Sequence, residues 1–501
     1  MTKLRVCLVS SEIVPFAKTG GLADVATGLS RFLDREGHDV RLFMPLYEDQ
    51  LRPAIDAGEL VLDTRSELTD LALTFGEQEY RVSVSTTPVP GTDAFVYLID
   101  CPELYGREGI YTQDADEHLR FAAFCRATIE CCQRMQWAPD VFHCNDWHTG
   151  LLPLYLKTTY AWDGLFASTR SLLTIHNIGY QGVFSLDRLE ELGLADQRHL
   201  LDPDDVDGGV INYLKTGVLH ADSLTTVSRT YAREIQTPEL GMGLEGALAK
   251  QREKLHGIVN GVDYDEWDPA TDALIPHNYD RDDLAGKAAN KAALLTAFGM
   301  SQDPDLPLVG LVSRLTYQKG LELLPDALTQ LLERGAMRFV ALGSGEEQYE
   351  SYFQRLRDRY PDLVAYFRGY NNELAHRIEA ASDVFLMPSR YEPCGLNQMY
   401  SLKYGTVPVV RRTGGLADTV AQFELDSGAG TGFLFEEFTA EALKTALGSA
   451  LALYGDRSSW DTLVQNGMAA DFSWAEQGPK YVALYRSLRE PVAETGEASG
   501  G

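Results

Sequence analysis

The segment Lys18-Thr19-Gly20-Gly21 places a cation and two adjacent glycines between a predicted strand and a predicted helix. Residues 5–10 are rich in valine and leucine, as buried parallel strands are, and residues 22–36 carry apolar side chains at helical spacing. Adjacent glycines let backbone N–H groups approach an anion at a helix N-terminus. The segment fits an anion-binding loop, and it equally fits a tight turn that carries a lysine.

A second copy favours the binding interpretation. The run Thr-Gly-Gly-Leu-Ala-Asp at residues 19–24 returns letter for letter at residues 413–418. A turn has no evident reason to repeat six residues, whereas two loops that face one ligand have one. We therefore count Asp24, Thr413 and Gly414 with Gly20 and Gly21 as candidate ligand contacts.

Length and charge exclude several classes of protein. The chain has 501 residues, more than one ordinary core, and 44 basic against 73 acidic residues give a net charge of −29. That field repels nucleic acid and anionic membranes, so a phosphorylated substrate needs a locally basic pocket.

Seven cysteines without a C-x-x-C pair indicate neither a disulfide framework nor zinc. Without a leader or an apolar span, we expect a cytoplasmic protein.

Alternating strand and helix patterns in both halves predict two doubly wound α/β domains. We expect an N-terminal domain at residues 1–255, a second domain at 256–475, a C-terminal helical segment at 476–489 and a disordered tail at 490–501. A polar insertion is expected at 187–207. The predicted strands are 5–10, 39–44, 95–98, 141–143, 172–175, 224–227, 308–312, 339–342, 364–368, 384–387 and 407–410; the predicted helices are 22–36, 117–135, 151–157, 228–235, 287–298 and 481–488.

Polar residues follow two predicted strands of the first domain, where open α/β sheets bind ligands. Asp146 stands beside Trp147 and His148 and could contact a ligand; alternatively, Asn145 or Asp146 caps a helix while Trp147 packs. The cluster lacks a convincing metal-ligand geometry, so we expect no metal. His176 comes with an amide, a tyrosine and two glycines, a mixture that suits hydroxyl-rich ligands.

The second domain offers positive charges at the corresponding place. Arg314 and Lys319 follow strand 308–312 and could neutralise a departing diphosphate, or could be solvated loop charges. Glu392 follows strand 384–387 and can accept hydrogen bonds from sugar hydroxyls. Tyr370 either stacks on a base or belongs to the core.

These motifs, in this order, resemble those of bacterial glycogen synthases and plant starch synthases over residues 4 to about 489. They are Lys-Thr-Gly-Gly-Leu, Asp-Trp-His, His-Asn-x-x-Tyr-Gln-Gly, Asn-Gly-Val-Asp, Ser-Arg-Leu-Thr-x-Gln-Lys-Gly and Glu-Pro-Cys-Gly-Leu. The resemblance implies a GT-B fold, with two Rossmann-like parallel-sheet domains facing a deep interdomain cleft and a last helix returning to the first domain. It also implies retaining transfer of glucose from ADP-glucose to the non-reducing end of an α-1,4-glucan, without metal or cofactor.

The resemblance assigns roles residue by residue. Lys18, His176, Arg314, Lys319 and Glu392 would carry catalysis, with the three cations near the donor phosphates. The substrate-binding residues would be Glu12 towards the acceptor, Tyr370 on adenine, and Gly20, Gly21, Asp24, Asp146, Asn260, Cys394, Gly395 and Leu396 around the donor. Thr413 and Gly414 are added to them by the internal repeat and not by the resemblance. Two positions depart from the family pattern: Tyr400 stands where related transferases carry a second glutamate, and Asn145 where a histidine is common.

Other functions remain open from sequence. A related retaining transferase could use UDP-glucose or another nucleotide sugar, and a glucan phosphorylase would need pyridoxal phosphate. A Rossmann dehydrogenase predicts G-x-G-x-x-G after the first strand, where this chain has Lys-Thr-Gly-Gly. A non-catalytic glucan binder would have no use for Arg314 and Lys319.

Overall fold

The computed structural model describes residues 3–58 and 60–489, so the predicted tail at 490–501 lies outside the described residues. The described chain forms two compact units. The first contains the chain up to Val227, Glu234–Gly261 and the chain from Trp474 onward; the second contains Ser228–Arg233 and Val262–Ser473. No helix within the described ranges is long and apolar enough to span a membrane.

The first unit is built on a nine-stranded sheet in the order β11-β10-β7-β6-β1-β2-β5-β4-β3, and a separate small sheet pairs β8 with β9. All six strands predicted for this half are present. The strands are β1 (Arg5–Val9), β2 (Asp39–Pro45), β3 (Arg65–Phe75), β4 (Gln78–Pro88), β5 (Phe95–Asp100), β6 (Val141–Asn145), β7 (Arg170–Ile175), β8 (Val183–Ser185), β9 (Val210–Asn212), β10 (Ser223–Thr226) and β11 (Leu255–Gly257).

One edge of this sheet carries two strands that were not predicted from the sequence, and they are antiparallel. β3 and β4 form an antiparallel hairpin, and β4 also pairs antiparallel with β5. Leu71, Leu73 and Phe75 are buried at every second position, while the residues between them are exposed. This alternation is typical of a half-buried strand, so the sequence carries a period-two signal for β3.

The helices up to residue 261 belong to the first unit, except that Ser228–Arg233 is part of the second. Helix α1 begins at Gly21, directly after the extended Gly20, and buries the apolar face that its spacing predicted. The helices are α1 (Gly21–Arg35), α2 (Glu48–Asp56), α3 (Pro102–Tyr105), α4 (Glu117–Arg134), α5 (Leu152–Lys157), α6 (Pro203–Asp207), α7 (Tyr213–His220), α8 (Arg229–Glu234) and α9 (Glu245–Lys250). The polar region at 187–207 holds short helical turns and α6.

The second unit is a six-stranded, fully parallel sheet in the order β14-β13-β12-β15-β16-β17. All five predicted strands are present, and β17, only three residues long, was missed. The strands are β12 (Leu308–Val312), β13 (Arg338–Gly343), β14 (Val364–Arg368), β15 (Val384–Met387), β16 (Val407–Arg411) and β17 (Phe433–Phe435). The helices are α10 (Ala285–Phe298), α11 (Leu324–Glu333), α12 (Glu347–Arg359), α13 (Asn372–Ala381), α14 (Asn397–Lys403), α15 (Gly414–Thr419), α16 (Ala440–Tyr454) and α17 (Arg457–Ala469).

The last helix, α18 (Trp474–Arg489), belongs to the first unit and packs on α1. A Cβ at Gly28 would overlap the indole of Trp474, and a Cβ at Gly478 would overlap the ring of Phe32. The helix starts well before the predicted 481–488, because this close packing outweighs the low helix propensity of Gly478 and Pro479.

A buried polar contact ties α18 to the sheet. His143 of β6 forms hydrogen bonds through Nδ1 with the Tyr485 hydroxyl at 2.7 Å and through Nε2 with Thr174 Oγ1 at 2.6 Å. Burial lowers the pKa of His143 to about 3, so the imidazole is neutral at pH 7. His143, although it stands next to the predicted site, is therefore used to hold the last helix.

We expect Gly28→Ala to destabilise the first unit, because the added Cβ meets a rigid indole rather than a flexible chain end. Overpacking of this kind costs about 1–3 kcal/mol, which urea unfolding followed by tryptophan fluorescence measures as a lower midpoint. Gly246→Ala in α9 is the matched control, because nothing lies near its added Cβ. A Gly28→Ala midpoint equal to that of the control would show that the α1–α18 contact is not tight.

Candidate functional site

The carboxylate of Glu12, which follows β1, lies at the N-terminus of α1. It accepts hydrogen bonds from Thr19 N at 2.5 Å, Thr19 Oγ1 at 2.7 Å, Gly20 N at 3.2 Å and the Tyr111 hydroxyl at 2.5 Å. Two backbone N–H groups of the glycine loop are thus bound by the chain's own carboxylate. The N-terminus of the helix thus holds a carboxylate of the chain itself, and binding of a ligand anion by this loop stays a prediction.

Lys18 and Asp24 form an ion pair on the same loop, with Nζ 2.7 Å from Oδ1. The lysine side chain is 42% exposed and that of Asp24 is 24% exposed. Exposed pairs of this kind contribute only about 0.2–1 kcal/mol. This ion pair by itself therefore does not prevent Lys18 from binding a stronger anionic partner.

Asp146 leaves β6 and holds the segment that follows β7. Its Oδ1 accepts hydrogen bonds from His176 N at 2.7 Å and Asn177 N at 3.4 Å. The helical turn Trp147–Thr149 has no side-chain cap, so the interpretation of Asp146 as an N-cap is wrong. Burial raises the pKa of Asp146 to about 7, although the two backbone N–H groups favour its charged form.

The His176 ring is oriented by Asn145. Asn145 Nδ2 donates to Val9 O at 3.0 Å, which directs Oδ1 towards His176 Nε2 at 2.8 Å. Because Oδ1 can only accept, Nε2 carries the proton and Nδ1 is left as an acceptor. Burial lowers the pKa of His176 to about 3, so the ring is neutral at pH 7. His176 can therefore hydrogen-bond a hydroxyl, but it supplies no positive charge.

Asn260 is buried, and its Oδ1 has no hydrogen-bond partner within residues 3–58 and 60–489. Such an orphaned acceptor costs about 1–3 kcal/mol unless a ligand or water satisfies it. The same is true of Nδ1 of the buried His148. These two atoms mark places where the described protein offers hydrogen bonds that it does not itself use.

In the second unit, the predicted Lys319 and Glu392 are in direct contact. Lys319 follows β12 and Glu392 follows β15, and these two strands are neighbours. Lys319 Nζ donates to Glu392 Oε2 at 2.7 Å, and Ser389 Oγ donates to the same oxygen at 2.8 Å. The pair is largely buried, so its attraction is little screened by solvent. The sequence motif contained Ser389, but its role in holding Glu392 was not predicted.

Arg314 and Tyr370 are exposed at the same edge of the sheet, after β12 and β14. In the described part of the chain, no hydrogen bond or ion pair engages the Arg314 guanidinium, which leaves its donors for a ligand. Tyr370 is 71% exposed, and its hydroxyl donates to Asn372 Oδ1 at 2.7 Å. The alternative of a core tyrosine is therefore wrong.

The second Thr-Gly-Gly copy packs against the Glu392 loop. Gly414 has φ +46°, and a Cβ there would overlap Glu392 O. Gly415 N donates to Glu392 O at 3.0 Å, and a Cβ at Gly415 would overlap the backbone of Cys394. Thr413 is buried beside them. The glycines of this copy therefore allow backbone to pack closely against backbone, a role that the sequence repeat did not predict.

The two acidic residues that end the copies also differ in use. Asp24 pairs with Lys18, whereas Asp418 accepts hydrogen bonds from Thr230 N at 2.9 Å and Thr230 Oγ1 at 2.7 Å. The two copies have identical sequences, but their acidic residues make different contacts.

The remaining predicted residues form the turn into α14. Gly395 has φ +72°, a backbone conformation that favours glycine, and Leu396 directly precedes the helix. The buried Gln398 fixes this turn, because its Nε2 donates to Cys394 O and Gly395 O, both at 3.0 Å. No group of three or more potential metal ligands occurs among the described residues.

Tyr111 and Gln398 were not predicted as part of the site. Tyr111 reaches Glu12 across 99 positions of sequence, from a loop without periodicity, so no local signal marks it. Gln398 lies four residues after Cys394, and its place directly after the Glu-Pro-Cys-Gly-Leu motif was the available signal.

Comparisons with known proteins agree with this geometry. Residues 5–250 match the family described as "Starch synthase catalytic domain", and residues 299–465 match "Glycosyl transferases group 1". The chain is 43% identical to a glycogen synthase of Desulforudis audaxviator, covering 98% of both chains. It is 42% identical to glycogen synthase 2 of Geobacter sulfurreducens, covering 96% of this chain and 98% of the relative.

Solved structures give the same result. The catalytic domain of starch synthase IV from Arabidopsis thaliana, bound to ADP and acarbose, superposes with a TM-score of 0.89 at 35% identity and covers 97% of this chain and 100% of its own. A sucrose-phosphate synthase of Thermosynechococcus elongatus, 18% identical with a TM-score of 0.59, shares the fold. These findings confirm the predicted GT-B fold class. The chain belongs to the glycogen synthase and starch synthase family.

Proposed function

We propose that the protein transfers glucose, with retention of configuration, from ADP-glucose to the 4-hydroxyl at the non-reducing end of an α-1,4-glucan. The names of its relatives and the ADP and acarbose bound to the Arabidopsis enzyme support this assignment. Within the chain, the observation that carries it is the Lys319–Glu392 pair beside the exposed Arg314. Two cations and a carboxylate at one strand edge suit a sugar joined to a diphosphate.

The chemical step needs positive charge more than it needs a metal. Breaking the anomeric bond leaves an oxocarbenium-like sugar and adds negative charge to the diphosphate. Arg314 offers its guanidinium, and Lys319 spends one of its three N–H donors on Glu392, so both can bind phosphate oxygens. Cations already in place stabilise the developing charge at no cost of reorganisation. We therefore propose that no metal ion takes part.

The polar groups of the first unit are proposed to bind substrate hydroxyls. His176 is neutral and offers Nδ1, and Asn260 offers an orphaned oxygen; both suit sugar hydroxyls rather than phosphate. Lys18 would add a third cation near the donor phosphates after leaving Asp24. Glu12 already accepts four hydrogen bonds. To contact the glucan acceptor, it would have to exchange one of them. The Tyr111 hydroxyl is the donor that lies outside the glycine loop.

Retention is proposed to occur by attack on the same face of the sugar, within a short-lived ion pair. A double displacement needs a carboxylate free to attack carbon. Asp146 is engaged by two backbone N–H groups, and Glu392 by Lys319 and Ser389. Neither of these two carboxylates stands ready as a nucleophile, which supports the same-face route.

We expect Lys319→Ala to lower kcat by about 10²–10³, as loss of one preorganised donor to a developing charge does. It also leaves Glu392 without its cation. The assay is transfer of labelled glucose from ADP-glucose to glycogen at saturating donor. Lys444→Ala, which removes an exposed pair with Glu441 on α16, is the control and should keep full activity. A kcat within a few-fold of wild type would remove Lys319 from the mechanism.

We expect the same assay to give unchanged turnover in excess EDTA, because the proposed charge stabilisation comes from side chains. ADP-glucose and UDP-glucose are supplied in parallel, and incorporation into glycogen is counted for each. Loss of activity in EDTA that added Mg²⁺ restores would contradict the metal-free step. Absence of label in glycogen with either donor would overturn the proposed function itself.

A further inference from the structure

Trp162 is an exposed aromatic residue that the proposed mechanism does not use. It lies in the turn after α5, and 73% of it is exposed. It borders a shallow depression of about 600 Å³, which is otherwise lined by Gln133, Arg134, Gln136, Asp163 and Leu165. An indole left in water beside polar side chains is a common feature of binding surfaces, because its flat face is apolar while its edge is polar.

The depression lies far from the proposed catalytic residues of the same unit. Its walls come from the end of α4, which leads into β6, and from the turn that leads into β7. β6 and β7 are parallel neighbours, so segments that precede them lie at the amino-terminal edge of the sheet. Asp146 and His176 follow the same two strands and lie at the carboxyl-terminal edge. The two sites are therefore on opposite edges.

The polar lining is held in place by hydrogen bonds. Gln133 Nε2 donates to Asp163 Oδ2 at 2.7 Å, which joins the two walls of the depression. Gln136 Nε2 donates to Gln133 O at 2.9 Å, which fixes the second amide over the end of α4. In the described chain, no hydrogen bond or ion pair occupies the guanidinium of Arg134. The depression thus combines a flat ring with fixed amides and an available cluster of N–H donors.

This combination fits a neutral, hydroxyl-rich ligand. A glucose ring has faces of C–H groups that can pack on an indole and equatorial hydroxyls that need donors and acceptors at its rim. An anionic ligand fits less well, because Asp163 lies in the lining and the protein carries a net charge of −29. The partly buried Leu165 adds apolar surface beside the ring.

We propose that the Trp162 depression is a second binding site for α-1,4-glucan chains, distinct from the site of glucose transfer. The proposal rests on the proposed function, because the acceptor of that function is a branched polymer with many chain ends. One outer chain held at Trp162 would raise the effective concentration of neighbouring ends at the catalytic residues. The gain applies only to acceptors long or branched enough to reach both edges.

The test compares Trp162→Ala with wild type in glycogen binding, by affinity electrophoresis, and in transfer kinetics. Losing an aromatic anchor should weaken glycogen binding on the order of tenfold and raise KM for glycogen with kcat unchanged. KM for maltotriose should not change, because so short an acceptor cannot reach both edges. Trp162→Phe should restore much of the binding. Leu425→Ala, which removes a side chain that is 63% exposed in the second unit, is the matched control.

Each other outcome separates the alternatives. Glycogen binding equal to wild type in Trp162→Ala would overturn the second site, whatever the activity. Altered self-association in sedimentation velocity, with glycogen binding intact, would overturn it in favour of a contact between copies of the chain. The electrophoresis needs no turnover, so an inactive wild type that still binds glycogen through Trp162 would overturn the proposed function and not this site.

Discussion

The candidate site depends on one constraint: its carboxylates are buried, so each needs hydrogen-bond donors in place of water. Glu12, Asp146 and Glu392 are all nearly buried, and a buried charge without partners costs several kcal/mol. Each therefore gathers donors: Glu12 from the glycine loop, Asp146 from the segment after β7, and Glu392 from Lys319 and Ser389. In a chain with so large an acidic excess, these three groups shape the loops around themselves.

The sequence predicted those parts whose signal is local. Buried parallel strands such as β1 and β12 are short apolar runs, and the polar residues directly after them fall at one sheet edge for topological reasons. The antiparallel hairpin of β3 and β4 was missed because its strands alternate buried and exposed residues and have no continuous apolar run. Tyr111 was missed for a different reason: its contact with Glu12 is made only by the folded chain.

The repeated Thr-Gly-Gly-Leu-Ala-Asp run shows what an exact sequence repeat can predict about contacts and what it cannot. In both copies the pair of glycines lies at the start of a helix. In the first, Gly20 N donates to a carboxylate; in the second, Gly414 and Gly415 allow backbone to pack against backbone. Glycine serves both purposes for one physical reason, the absence of a Cβ. Backbone groups approach closely in both copies, and binding of one ligand by the two loops stays a prediction.

The placement of α18 has a consequence for biosynthesis. The first unit is completed by a helix that is translated after the whole of residues 262–473. At roughly 5–20 residues per second, the groove on α1 that receives Trp474 stays uncovered for tens of seconds while the second unit is being made. Folding of the first unit on the ribosome therefore stops one helix short, and the nascent chain must keep that apolar face from other chains until its own carboxyl-terminal end arrives.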